Sequence, residues 1–156
     1  MRAMNSNWSG GERVPAINTS AWNILAIPAA VFFVMAILQA ISFTAFKNYL
    51  DGQRIGAPAV TGILIIIAGF WAALSLLRIP LPYAFRAFGI LLALLVAGFW
   101  FIENLFFTTS SGGQLPNSGF FGKYLAQSPG WWTVIEVSIM LFLVVYAAKL
   151  LKWMAD

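Results

Sequence analysis

Apolar residues gather in four long runs with short polar stretches between them. The runs cover about residues 22–46, 59–77, 87–107 and 131–148. A bilayer core of roughly 30 Å takes about 20 apolar residues as helix, and the runs are of that order. None alternates with a period of two, so the pattern is not that of a membrane barrel. Hydrocarbon offers the backbone no outside partner, which selects helices. The pattern therefore predicts an all-α, integral-membrane four-helix bundle.

The boundaries carry their own signals. Asn18, Thr19 and Ser20 offer capping oxygens ahead of the first run, and Pro28 predicts a kink early in it. The second run stops at Arg78. Pro80 and Pro82 then turn the chain within RIPLPYAFR, because neither continues a helix. Residues 108–130, TTSSGGQLPNSGFFGKYLAQSPG, form a loop rich in Gly, Ser and Pro. Small residues within the runs (Gly62, Ala68, Gly69, Ala72, Gly89, Ala93, Ala97) predict close helix contacts. Residues 1–20 read as a polar tail, without the compact basic start and apolar core of a signal peptide. Residues 21–156 then make one transmembrane domain.

Composition sharpens the picture. The chain is 61% hydrophobic and 9% charged, with mean hydropathy +0.84, against about 25% charge in a soluble domain. The net charge of +4 is small and scattered, which argues against nucleic acid and makes charge a matter of topology. Arg2, Arg13, Arg78, Arg86, Lys149 and Lys152 fall on one side; Lys47, Arg54 and Lys123 fall on the other. The positive-inside rule then places both termini in the cytoplasm of a prokaryotic plasma membrane, with the 108–130 loop outside. Trp71, Trp100, Trp131, Trp132 and Trp153 lie near span ends and are expected as interface anchors.

Cys and His are both absent. That excludes disulfides, thiol chemistry, Cys/His zinc sites and His-ligated haem. A redox role would have to use a diffusible quinone or a partner's metal; quinone or lipid is the ligand class left open.

One carboxylate stands out, within FWFIENLFF (99–107). Ionisable residues inside a membrane are costly and often functional. Glu103 lies 17 positions beyond Arg86, about 25 Å along a helix, so about one turn inside the outer interface. Glu136, in WWTVIEVSIML, lies about 7–8 Å in from the same side. Consecutive antiparallel spans put the two at similar depth, where packing could join them. Such a pair can hold a proton, a cation, or the carbonyl or hydroxyl of a quinone, with Asn104, Thr133 and Gln39 as hydrogen-bonding candidates. Anchoring is the alternative: the helix dipole favours an anion at Glu136, and Lys123 or Arg54 could pair with either carboxylate.

The stretches FTAFKNYLDGQRIGAPAV, GILIIIAGFWAALSLL, FRAFGILLALLVAGFWF and GFFGKYLAQSPGWW are similar to the DoxX-like family. The matching positions are Phe46, Tyr49, Leu50 and Gly52, then Arg86, then Phe121, Lys123, Leu125 and Ala126. The resemblance covers most of residues 22–148. It departs at Thr61 and Gly62, where many members carry Glu, and at Trp100 and Glu103, where many carry His. It implies a four-span subunit near quinone chemistry, as in some quinone-linked oxidoreductases. The expected function is an accessory, non-catalytic membrane subunit of a larger respiratory or photosynthetic electron-transfer complex, contributing to a quinone site. Other membrane subunits and the lipid bilayer are the expected partners. A DoxX-like component of a quinone-linked oxidoreductase is the alternative. A stand-alone transporter ranks last, because the inner half of each span lacks ionisable residues.

Overall fold

The computed structural model describes residues 23–77, 79–110, 119–124 and 130–155, the last four of these as backbone only. The tail at 1–20 and most of the 111–130 segment lie outside the described residues. The described chain is all-helical: α1 (Ala26–Ile41), α2 (Phe43–Gly52), α3 (Pro58–Leu76), α4 (Tyr83–Ser110) and α5 (Trp131–Ala155). Helices α3, α4 and α5 are long and apolar enough to cross a bilayer, each containing an 18-residue stretch of mean hydropathy 2.2. Helices α1 and α2 meet that test only when taken together, and they are bent by 93°.

The bend divides the expected 22–46 span at Ser42. Its hydroxyl donates to the Leu38 carbonyl at 2.6 Å, the acceptor that also receives the Ser42 amide at 3.0 Å. Ser42 itself leaves the helical region (φ −102°, ψ 30°), and the chain changes direction at that residue. Pro28 sits in the first turn of α1, where its missing N–H breaks no helical bond, so the expected kink site is not the site of the break. Helix α1 has 16 residues, about 24 Å, and α2 turns aside across the end of the bundle. Phe46, Tyr49 and Leu50 of α2 face inward, while Thr44, Asn48 and Asp51 are exposed.

Packing follows chain order. Helix α3 packs against α1 and α4, and α4 against α5, whereas α1 and α5 touch only sparsely. The expected four-helix bundle is thus a row with one seam ajar. Phe120 and Phe121 of the 119–124 turn enter that seam, lining a cavity of about 380 Å³ with residues of α1 and α5. Large apolar side chains point outward along the long helices, including Ile67, Leu95 and Phe142. A surface this apolar suits lipid rather than water.

The α3–α4 contact is close. The small residues expected at helix contacts are all buried. A Cβ on Gly89 would lie 1.8 Å from Ser75 Oγ and 2.8 Å from Trp71 Cδ1. At that end Arg86 is buried and donates to the Leu77 and Ile79 carbonyls. It ties the Pro80–Pro82 turn onto α4.

Candidate functional site

Helix α4 turns one stripe inward along its length: Arg86, Gly89, Ile90, Ala93, Val96, Ala97, Trp100 and Asn104. The spacing of three and four is that of a single helix face. Near the α2 end the stripe changes from small residues to Trp100 and Asn104, and the functional candidates gather there.

Trp100 is fully buried, so its expected role as an interface anchor does not hold. Helix α2 folds across it, and the 119–124 turn inserts a ring beside it. Its ring centroid lies 6.3 Å from Phe46, 6.4 Å from Tyr49, 5.1 Å from Phe99 and 5.4 Å from Phe120. Of the other tryptophans, Trp131 and Trp132 are exposed, as anchors require. Trp71 is half-buried, stacked on Phe85 at 4.6 Å with its indole N–H donating to the Phe85 carbonyl at 3.2 Å. The Trp153 side chain lies outside the described residues.

The turn that covers Trp100 is built on two glycines. Gly119 (φ 71°) and Gly122 (φ 65°) both adopt left-handed backbone, which costs a residue without a Cβ least. There is no room for more: a Cβ on Gly119 would lie 2.6 Å from the Tyr49 ring, and one on Gly122 would lie 2.2 Å from Ser42 Oγ. The Lys123 amide reaches Ser42 Oγ at 3.4 Å. Gln39, fully buried, donates from Nε2 to the Phe120 carbonyl at 2.8 Å. The turn is therefore held from α1, at the corner where α1 becomes α2.

Glu103 receives a hydrogen bond from the Tyr49 hydroxyl on Oε1 at 2.9 Å. Its Oε2 is buried and without a hydrogen-bond partner. The carboxylate lies in the wall of a cavity of about 310 Å³, which is also lined by Gln53, Ile55, Phe99, Ile102, Phe106 and Phe107. Ile102 and Phe106 are more than half exposed on the lipid-facing side, so the cavity opens laterally. Asn104 is buried, and its Nδ2 donates to the Trp100 carbonyl at 2.8 Å.

Glu136 and Thr133 sit elsewhere. Thr133 is buried near the start of α5. Glu136 lines the α1–α5 seam cavity, which shares no lining residue with the Glu103 cavity. The structure thus brings Gln39, Glu103 and Asn104 into one neighbourhood around Trp100 and gives the two glutamates separate cavities. Sequence reasoning from the residues missed Tyr49 as the partner of Glu103. The signal was present: Phe46, Tyr49 and Leu50 share a helix face in a segment whose other positions include Asn48 and Asp51, the pattern of a surface-lying helix.

Fold and site together define an all-helical, lipid-suited protein with a roofed polar cluster at one end. No protein-family model, curated protein or solved structure matches this chain, so the site is read from its own geometry.

Proposed function

We propose that the protein is a non-catalytic membrane subunit of an electron-transfer assembly and that its Glu103 cavity holds the head group of a quinone or quinol. The observation that carries this reading is a carboxylate bonded on one oxygen by Tyr49 and belonging to a residue that lines an aromatic, laterally open cavity. A quinol hydroxyl donates, which suits the Glu103 carboxylate; the Gln53 amide can donate to a quinone carbonyl. The Phe99, Phe106 and Phe107 rings offer faces to the head group, and the lateral opening gives an isoprenoid tail a way into lipid. The volume of about 310 Å³ is at the small end of ligand pockets, about 300–1,000 Å³.

Redox chemistry is assigned to partner subunits, since the chain has no Cys or His to hold a metal or haem. The resemblance to the DoxX-like family leads to the same class of ligand. The distribution of Lys and Arg supports cytoplasmic termini in a prokaryotic plasma membrane.

Two measurements test the reading. Mild-detergent purification should bring along subunits with haem, flavin or iron–sulfur spectra; a lone, colourless protein overturns the subunit assignment. Hydrogen bonds to charged groups contribute about 1.5–3 kcal/mol. Glu103→Gln should therefore weaken ubiquinol-1 binding by roughly ten- to a hundredfold. Unchanged binding, measured by calorimetry, overturns the head-group site.

A further inference from the structure

The cavity in the α1–α5 seam is polar at one end and apolar along the rest. Among the described residues that line it, eight are apolar and one, Glu136, is charged. Glu136, Phe120 and Phe121 stand at the end nearer α2, where α5 begins. Leu143 lies about 10 Å further along α5 than Glu136, and Ile27 lies about 21 Å along α1 from Ile41, so these two mark the deep end. Ile27 and Ile139 are more than half exposed. The cavity therefore opens sideways onto the lipid-facing surface.

These features select the occupant. An empty apolar cavity deprives its lining of dispersion contacts, and a side opening admits the hydrocarbon chains around it. The one charged group sits toward the exposed Trp131 and Trp132, at the membrane surface, and the apolar walls run inward from it. That is the order of a lipid, with its head outward and its chain inward. Glu136 requires a head group that donates. A carboxylate offers about four lone-pair sites, so a ligand can add to the interaction Glu136 already makes. Lys123 supplies the opposite charge. It is exposed on the turn that carries Phe120 and Phe121, with its Nζ 5.3 Å from the Tyr124 ring centroid. A head group with both an ammonium and a phosphate complements the two residues. Phosphoglycerol lacks the cation, and phosphocholine has a cation without N–H donors. We infer that the α1–α5 seam holds an acyl chain of a phosphatidylethanolamine molecule, with its ammonium on Glu136 and its phosphate toward Lys123. The site is separate from the Glu103 cavity and stands without a quinone.

Native mass spectrometry tests the site, on the protein purified in mild detergent, delipidated and titrated with single lipids. Dioleoyl phosphatidylethanolamine should bind roughly ten- to a hundredfold more tightly than dioleoyl phosphatidylcholine, which carries the same chains without N–H donors. Glu136→Gln should remove most of that preference. Leu143→Trp, which fills the deep end, should weaken both lipids alike. Equal affinity for the two lipids in the native protein overturns the inference, and that comparison needs no variant. Dioleoyl phosphatidylglycerol binding more tightly than phosphatidylethanolamine overturns it too. So does an undiminished preference in a folded Glu136→Gln, or undiminished phosphatidylethanolamine binding in a folded Leu143→Trp. None of these outcomes bears on ubiquinol-1 binding at Glu103.

Discussion

From Gly89 to Ala97 the buried stripe of α4 is dominated by small side chains; at Trp100 and Asn104 it becomes large and polar. The small stretch lies on α3 with Gly89 against Ser75, and close van der Waals approach between backbones is what holds helices together in lipid. The polar stretch has a roof instead: the crossing helix α2 and the Gly119–Gly122 turn. A roof of separate pieces encloses groups that a helix seam would have to pair or exclude. Among the described residues, five orphaned polar atoms at one end, against one, Ser75 Oγ, at the helix seam, measure the difference. One end is built for adhesion, and the other encloses polar groups.

The largest effect should come from removing the roof's keystone. Phe120 is 4% exposed and packs edge-on against Trp100. Phe-to-Ala truncations in cores cost about 3–5 kcal/mol, and Phe120→Ala should fall in that range in detergent unfolding titrations. The loss should be local. Amide exchange should rise in α2 and the 119–124 turn while the α3–α4 seam stays protected. A uniform rise along the chain would show that the two ends are not separable.

A smaller effect belongs to the seam. Gly89→Ala places a methyl where Ser75 and Trp71 already stand, and overpacking costs about 1–3 kcal/mol. Gly98→Ala, on the same helix, meets nothing within 4 Å and should be neutral or slightly stabilising. Ser75→Gly should recover part of the Gly89→Ala loss by clearing the nearest atoms. Equal melting shifts for the two glycine variants would show that the seam is not closely packed at Gly89.

The long helices were legible because lipid makes one demand, a continuous apolar run, and the runs state it plainly. The small residues at the α3–α4 seam were legible for the same reason: in lipid they have few other uses. The Ser42 break was not, because a serine within an apolar run does not announce a bend: Ser138 makes the same bond back one turn, to Val134, inside the unbroken α5. Hydropathy averaged over the run hid the amphipathic α2 inside it. Trp100 was misplaced because position near a span end implies the interface only if nothing folds over that end. The pairing of Glu103 with Tyr49 spans 54 positions and depends on that same fold-over, so local sequence could mark Glu103 as unusual without naming its partner. Proximity in depth was the whole basis for joining Glu103 with Glu136, and depth says nothing about which side of a helix a residue faces.

The smallest predicted effect is the most informative about the enclosed polar end. Tyr49→Phe keeps the ring against Trp100 and deletes only the hydroxyl that donates to Glu103. A single buried hydrogen bond is worth about 1 kcal/mol, so the stability loss should be of that size. In Glu103→Gln, the Tyr49 hydroxyl keeps an acceptor, the amide oxygen, so that variant alone should cost less. Adding Tyr49→Phe to Glu103→Gln should then cost less than Tyr49→Phe in the native background, because the carboxylate is no longer there to be stranded. Groups in direct contact should show such coupling, and distant ones should simply add. Gln39→Leu supplies the contrast: its bond goes to Phe120, so its effect should couple with Phe120→Ala and add with Tyr49→Phe. If Tyr49→Phe and Glu103→Gln instead prove additive, the pair is not an energetic unit, and the roof holds Tyr49 in place without help from the carboxylate beneath it.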